Sequence, residues 1–177
     1  MSSALGKLHL VPATERPDLL AEPVAAVIDT VPDAYVTQID PDLADTAALC
    51  ETYEVAMDVA ANCVVVAGTR GGVTRYAARV VLATTRADVN GLVRKRLDAR
   101  KASFAPMDVA VAMSGMEYGG ITPVGLPPEW LLLVDEAVVA TAQVVVGSGV
   151  RRSKLVVPGA ALAALQHSEV VPGLGRA

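Results

Sequence analysis

The chain has 177 residues, 53% of them apolar and 19% charged, with a net charge of −4. That length and balance suit one domain with a sizeable core and exclude a disordered or fibrous chain. A protein whose whole surface grips nucleic acid is also excluded, because backbone affinity comes from Lys and Arg; DNA is not an expected partner.

Aromatic residues are only 3%, so the core falls to Ala, Val and Leu. No apolar run approaches the roughly 18 residues of a membrane helix. The N-terminus, with Lys7 and His9, has no apolar segment of the signal-peptide kind. Cys50 and Cys63 match no metal or redox spacing. These features predict a cytoplasmic protein with reduced thiols, no metal and no membrane partner.

Residues 1–16 read as a poorly structured lead. Pro23 suits a first helical turn, and Val24, Val27, Ile28 and Val31 follow at helical spacing until Pro32. The alternation from Ala34 to Asp40 predicts a strand with Tyr35, Thr37 and Ile39 on one side. Asp45 is a candidate cap for a short helix carrying Leu49 and Tyr53. Asn62 to Ala67 is apolar and β-branched. A glycine turn at Gly68 to Gly72 leads to a second strand, Thr74 to Thr84, exposed at Arg75 and Arg79, and the pair predicts a hairpin.

Asp88 caps a predicted helix whose apolar stripe is Val89, Leu92, Val93 and Leu97. Most of a basic cluster (Arg94, Lys95, Arg96, Arg100, Lys101) falls off that stripe, either as a solvated helix face or as a surface for phosphates. Pro106 opens a further helix with Val109, Ala112 and Met113 on one face. Leu131 to Val134, Gln143 to Val146 and Lys154 to Val157 read as strands, and a second basic run holds Arg151, Arg152 and Lys154. Pro158 opens a last helix with Leu162 and Leu165, and residues 167–177 read as a loose tail. Mixed strands and helices with several hairpins predict an α+β fold, a single domain over residues 17–166.

The sharpest composition shift is Ser114 to Gly125, with four glycines in twelve residues. Glycine permits φ > 0 and close approach of a ligand to backbone N–H groups. Pro123 fixes its own φ and biases Thr122 toward an extended conformation. Successive donors in such a loop form a concave anion or oxyanion site, and the plain alternative is a tight turn. The common catalytic sets are missing. The two histidines, His9 and His167, lie near opposite ends, and there is no H-E-x-x-H, P-loop or dinucleotide fingerprint. Cys63 reads as a small strand hydrophobe, and Asp135 and Glu136 would face opposite ways in a strand. A hydrolase with this inventory leans on backbone donors and on its substrate.

Gly119-Gly120-Ile121-Thr122-Pro123-Val124-Gly125, preceded by Ser114-Gly115, resembles the signature loop of the YbaK/EbsC family, whose members include prolyl-tRNA editing domains. A strand ending the first third, Val134-Asp135-Glu136, the segment Gly147-Ser148-Gly149 and a last strand and helix follow in matching order, so the resemblance spans roughly residues 24–166. It implies a mixed, partly open β-barrel with helices packed outside. It also implies hydrolysis, without a cofactor, of the ester in a mischarged aminoacyl-tRNA, with an aminoacyl-tRNA synthetase as a second expected partner. On this resemblance Gly119, Gly120 and Pro123 form the catalytic loop, and Ser114, Gly115, Ile121, Thr122, Gly147, Ser148 and Gly149 border the substrate. Arg94, Lys95, Arg100, Lys101, Arg151, Arg152 and Lys154 become the candidate tRNA contacts. One departure stands out: the family's active-site lysine falls on Asn62, which is shorter and uncharged. Nothing in the sequence brings Lys101 or Lys154 to its place. A second reading therefore stays open, a family member that keeps fold and loop and binds an aminoacyl or nucleotide-like ligand, or a protein, without catalysis.

Overall fold

The computed structural model describes residues 3–177; Met1 and Ser2, part of the expected lead, lie outside the described residues. Val11–Pro12 (β1) pairs antiparallel with Tyr35–Gln38 (β2). Between them the expected helix is split. Glu22–Ala25 (α1) makes one turn, and Ile28–Thr30 resumes as a separate 3-10 turn. Val24, Val27 and Ile28 are β-branched and propagate a helix poorly, yet Val24, Ile28 and Val31 are buried as their spacing predicts. Asp45 caps Thr46–Tyr53 (α2), accepting from the N–H groups of Ala47 and Ala48 at 3.0 and 3.3 Å.

Ala61–Arg70 (β3) and Val73–Leu82 (β4) form the expected hairpin, in register from Ala61 opposite Leu82 to Arg70 opposite Val73. Its turn is Gly71-Gly72 alone, both at positive φ, which matches the two-residue turns that suit a twisted hairpin. Gly68 instead lies within the strand. Arg79, expected to be exposed, is buried at 9% on β4, its guanidinium lying over the Phe104 ring at 5.7 Å.

Arg86–Ala87 (β5) precedes a π-helical turn, Val89–Val93, which runs into Arg94–Arg96 (α3). Asp88 Oδ1 caps it by accepting from the Gly91 N–H at 2.8 Å. Lys101–Phe104 (β6) pairs with β3. Met107–Ser114 (α4) buries Ala110 and Ser114, not the predicted face of Val109, Ala112 and Met113. Ala110 packs on Val65 and Trp130, and that contact, not helical spacing, chooses the face.

Leu131–Asp135 (β7) ends where Glu136–Val139 (α5) begins, so Asp135 and Glu136 belong to different elements. Val144–Gly147 (β8), Ser153–Val157 (β9) and Gly159–Ala163 (α6) follow as the sequence predicts. Ser168–Val171 (β10) and Gly175–Arg176 (β11) occupy the supposed loose tail. β10 satisfies the free edge of β7 in parallel register, and Val171 and Leu174 are buried. The lead is likewise tied in through β1. An unpaired sheet edge is a strong backbone partner, and nothing local in either terminus reveals it.

The strands form a five-stranded sheet in the order β10-β7-β4-β3-β6, a four-stranded sheet β1-β2-β9-β8, and a ribbon β11-β5. The pairs β4–β7 and β7–β10 are parallel and the remaining ladders antiparallel, giving a mixed α+β fold. The two larger sheets touch at an isolated parallel bridge, Ala60 to Val145, and no ladder closes them. The main core takes alternate residues of both sheets, among them Val36, Val80, Val134, Val146 and Leu155. On the outer side, Leu49 and Cys50 of α2 cover Val145 and Val156. Among the described residues no helix is long and apolar enough to cross a membrane.

Candidate functional site

α4 stops at Gly115, whose φ of 69° only glycine adopts freely, and Ser114 Oγ accepts from the Met116 N–H at 3.2 Å. The glycine loop that follows is stitched to the segment after β8. The Glu117 N–H donates to Gly149 O at 2.8 Å, the Gly149 N–H to Gly120 O at 2.7 Å, and the Gly120 N–H to Glu117 O at 3.0 Å. A Cβ on Gly120 would stand 2.9 Å from the Val150 backbone, and one on Gly147 would meet the carbonyls of Gly120 and Ile121, the latter at 2.7 Å. These two glycines thus exist for loop-on-loop contact, and Gly120 is closed on protein. Gly119, at φ 78°, is exposed, and a Cβ there would stand 2.5 Å from Arg151 Nη1. The N–H groups of Tyr118, Gly119, Ile121, Val124 and Gly125 make no hydrogen bond within the described residues, and of these Gly119 and Ile121 flank the stitched Gly120. Thr122 and Val124 are sealed on either side of buried Pro123, which anchors the loop.

Ser148 is fully buried. Its Oγ donates to Ser153 O at 3.0 Å and accepts from Ser153 Oγ at 2.7 Å, so it holds the segment's shape and is closed to substrate. Arg151 clamps the glycine loop from outside: its guanidinium donates to Tyr118 O at 3.2 Å and Pro41 O at 3.0 Å and lies 5.9 Å from the Tyr118 ring centre. Arg152 donates to Asp18 O. Both arginines are therefore engaged with backbone carbonyls.

Asn62 and Gly147 each lie two residues beyond the Ala60–Val145 bridge, on the same outer face. Gly147 pairs with Lys154, and Lys154 with Thr37, so the row across the strands runs Asn62, Gly147, Lys154, Thr37. The first turn of α2 overhangs it: Thr46 Oγ1 donates to Asn62 Oδ1 at 2.6 Å. Thr46 carries no signal in the sequence; only the packing of α2 reveals it. Lys154 is 7% exposed, and burial, followed by the nearby Arg151 charge, lowers its amine to about 8. Lys101 stands at the far end of β3, opposite Thr69, and is exposed. The thiols offer no nucleophile: burial pushes Cys63 up to about 12 and raises Cys50 as well. No group of three or more His, Cys, Asp or Glu able to hold a metal occurs among the described residues.

The first basic cluster lines an open groove of about 540 Å³ in which Arg94, Arg100 and Lys101 converge with Thr69, Asn90 and Ser103. Lys95 stands exposed outside that lining, and Arg96 is paired with Glu169 at 2.6 Å. Arg100 and Lys101 have no carboxylate partner among the described residues.

This mixed α+β domain shares its fold with several solved structures. It is similar to a solved candidate trans-editing enzyme for prolyl tRNA synthetase (18% identity, TM-score 0.73, covering 89% of this chain and 97% of that one). It is similar also to the hypothetical protein APE2540 (20% identity, TM-score 0.74, 88% and 100% covered) and to a scaffold used for epitope backbone grafting (19%, 0.73, 89% and 97%). The aminoacyl-tRNA editing domain model matches residues 40–165, and the chain belongs to that family, in its YbaK-like branch. No curated protein matches the chain.

Proposed function

We propose that the chain is an aminoacyl-tRNA deacylase acting in trans on a mischarged small amino acid. The observation that carries this reading is the glycine loop, closed on Gly147 to Val150 inside a family match over residues 40–165. Water adds to the ester carbonyl and its C=O pair moves onto oxygen. The acyl–oxygen bond then breaks, one water proton passes to the leaving ribose oxygen, and the other is lost as the amino acid ionises. The free N–H groups of Gly119 and Ile121 are the donors for the oxyanion. One well-placed donor is worth roughly 3 kcal/mol, a hundredfold or more in rate. An ester needs little more, which fits a site whose own side chains offer neither a histidine nor a thiolate.

Editing has a physical basis: a synthetase pocket gains only about 1–3 kcal/mol from one methylene, so small amino acids slip through. The neighbour described as acting for prolyl tRNA synthetase points to tRNA for proline as the first substrate to try. The groove of Arg94, Arg100 and Lys101 takes the tRNA backbone, with Lys95 on its rim. We read residues 17–166 as the editing domain, the bridge at Ala60 as the seam of a partly open barrel, a synthetase as a potential docking partner, and the cytoplasm as the place of action.

A second reading is favoured by one observation. Asn62 carries no charge and is already hydrogen-bonded to Thr46, so a non-catalytic binder of an aminoacyl or nucleotide-like ligand, or of a protein, is the alternative. Deacylation of a panel of mischarged tRNAs, alanyl and cysteinyl tRNA for proline first, decides between them. Release above the spontaneous rate is expected; none from any member of a broad panel would refute the deacylase reading and favour the binder.

A further inference from the structure

Lys154 is the cation this site holds without a counter-ion. It sits in β9 between Gly147 on β8 and Thr37 on β2. Its side chain lies on the face that α2 covers, and the residue is 7% exposed. Among the described residues it makes no ion pair, whereas the five pairs present all join partly exposed side chains. Its Nζ makes no hydrogen bond, yet it is not among the polar atoms sealed from solvent, so the stem is buried and the tip reaches water. The titratable groups acting on it are Arg151 from the clamp, Asp45 from the cap of α2 and the neutral thiol of Cys50 from α2 itself. A cation withdrawn from water without a partner is costly. Such a group beside glycine-bearing segments is a functional candidate on physical grounds.

Its position connects it to the chemistry. Gly147 separates Lys154 from Asn62 in the strand row, and the carbonyls of Gly120 and Ile121 rest on Gly147. Lys154 therefore neighbours the strand position on which the glycine loop rests, one strand further from Asn62. α2 reaches both flanks, through Thr46 to Asn62 and through Asp45 toward Lys154.

We propose that Lys154 is the anion-binding residue of this site, taking an anionic oxygen of the aminoacylated terminal nucleotide. This rests on the deacylase reading. The oxygen has two sources, a phosphodiester next to the terminal ribose or the ester oxygen that becomes negative as water adds, and kinetics separates them. A phosphodiester contact is made equally in ground and transition states, so its loss raises KM; an oxyanion contact is made only in the transition state, so its loss lowers kcat.

The test compares deacylation of alanyl-tRNA for proline, or whichever panel member the wild type hydrolyses, by the full chain and by Lys154→Met and Lys154→Arg. Lys154→Met is expected to lose about a hundredfold in kcat/KM, and Lys154→Arg to recover part of it by keeping the charge. The wild-type rate, corrected for spontaneous hydrolysis, is expected to fall as pH rises through about 8, where the amine loses its proton, and Lys154→Met to lack that step. Unchanged kcat and KM in a folded Lys154→Met against an active wild type overturns the proposal. If the wild type hydrolyses nothing, the deacylase reading fails by itself. Calorimetric binding of a cytidyl-cytidyl-adenosine trinucleotide then tests Lys154: affinity lost in Lys154→Met supports the anion site, and equal or absent binding in both proteins overturns it.

Discussion

Lys154→Met should stabilise the folded chain while disabling the site. The amine titrates near 8 in the folded protein against an ordinary 10.5, a gap of about 2.5 pK units. At about 1.36 kcal/mol per unit, holding the proton costs the fold roughly 3 kcal/mol. The sign follows from the direction of the shift. Between pH 8 and 10.5 the unfolded chain binds a proton that the folded chain has released, so wild-type stability rises across that window. Below pH 8 both states are protonated and the full cost is present. Methionine has similar length, fills the space under α2 and carries no charge. At pH 7 the variant should therefore gain up to roughly 3 kcal/mol, or about 6–12 °C in Tm for a chain of this size. The gain should shrink toward zero near pH 10.5. Urea unfolding at pH 7 and pH 9.5, with m unchanged between proteins, reads the difference directly. Titrating groups away from the site act alike in both proteins and cancel; Cys50, which loses the lowering influence of Lys154 in the variant, is the exception, and a Cys50→Ser background removes it. A variant less stable than wild type at pH 7, or a gain that does not shrink with pH, would refute the reasoning.

Gly147→Ala drives a Cβ into two backbone carbonyls that cannot rotate away, so it should cost on the order of 2 kcal/mol or more and lower deacylation with it; thermal melting beside the rate shows whether the two losses coincide. Arg151→Ala frees the carbonyls of Tyr118 and Pro41 and should loosen the glycine loop, seen as faster amide hydrogen exchange over residues 117–121 with little change in global stability. The double variant Arg100→Ser, Lys101→Ser should raise KM for tRNA and flatten its salt dependence by about 0.7 log units per log salt for each charge, while hydrolysis of a minimal aminoacyl-adenosine ester stays unchanged. Asp45→Ala removes the cap accepting from Ala47 and Ala48 and should cost about 1 kcal/mol in urea unfolding.

What the sequence reveals depends on how far apart the deciding residues lie. The β3–β4 hairpin is legible because its β-branched runs and its Gly71-Gly72 turn sit side by side. α2 is legible because Asp45 caps its own helix. β10 is not, because Val170 and Val171 become a strand only against the edge of β7, more than thirty residues earlier. The site divides the same way. A cluster of glycines marks Ser114 to Gly125, yet the duty of Gly120, contact with the Val150 backbone, needs a partner segment thirty residues on. Lys154 is the extreme case. In the chain it ends a basic run with Arg151 and Arg152, and all three read alike as surface charge. The start of β9 sends them different ways: Arg151 and Arg152 lie before it and reach out to carbonyls, while Lys154 lies inside it. Pairing with β8 and β2 on either side then sets its stem on the face that α2 covers, next to the strand position on which the glycine loop rests. The cation withdrawn from water is thus a product of the strand order, and so is its nearness to Asn62, the one position where the chain departs from its family's lysine.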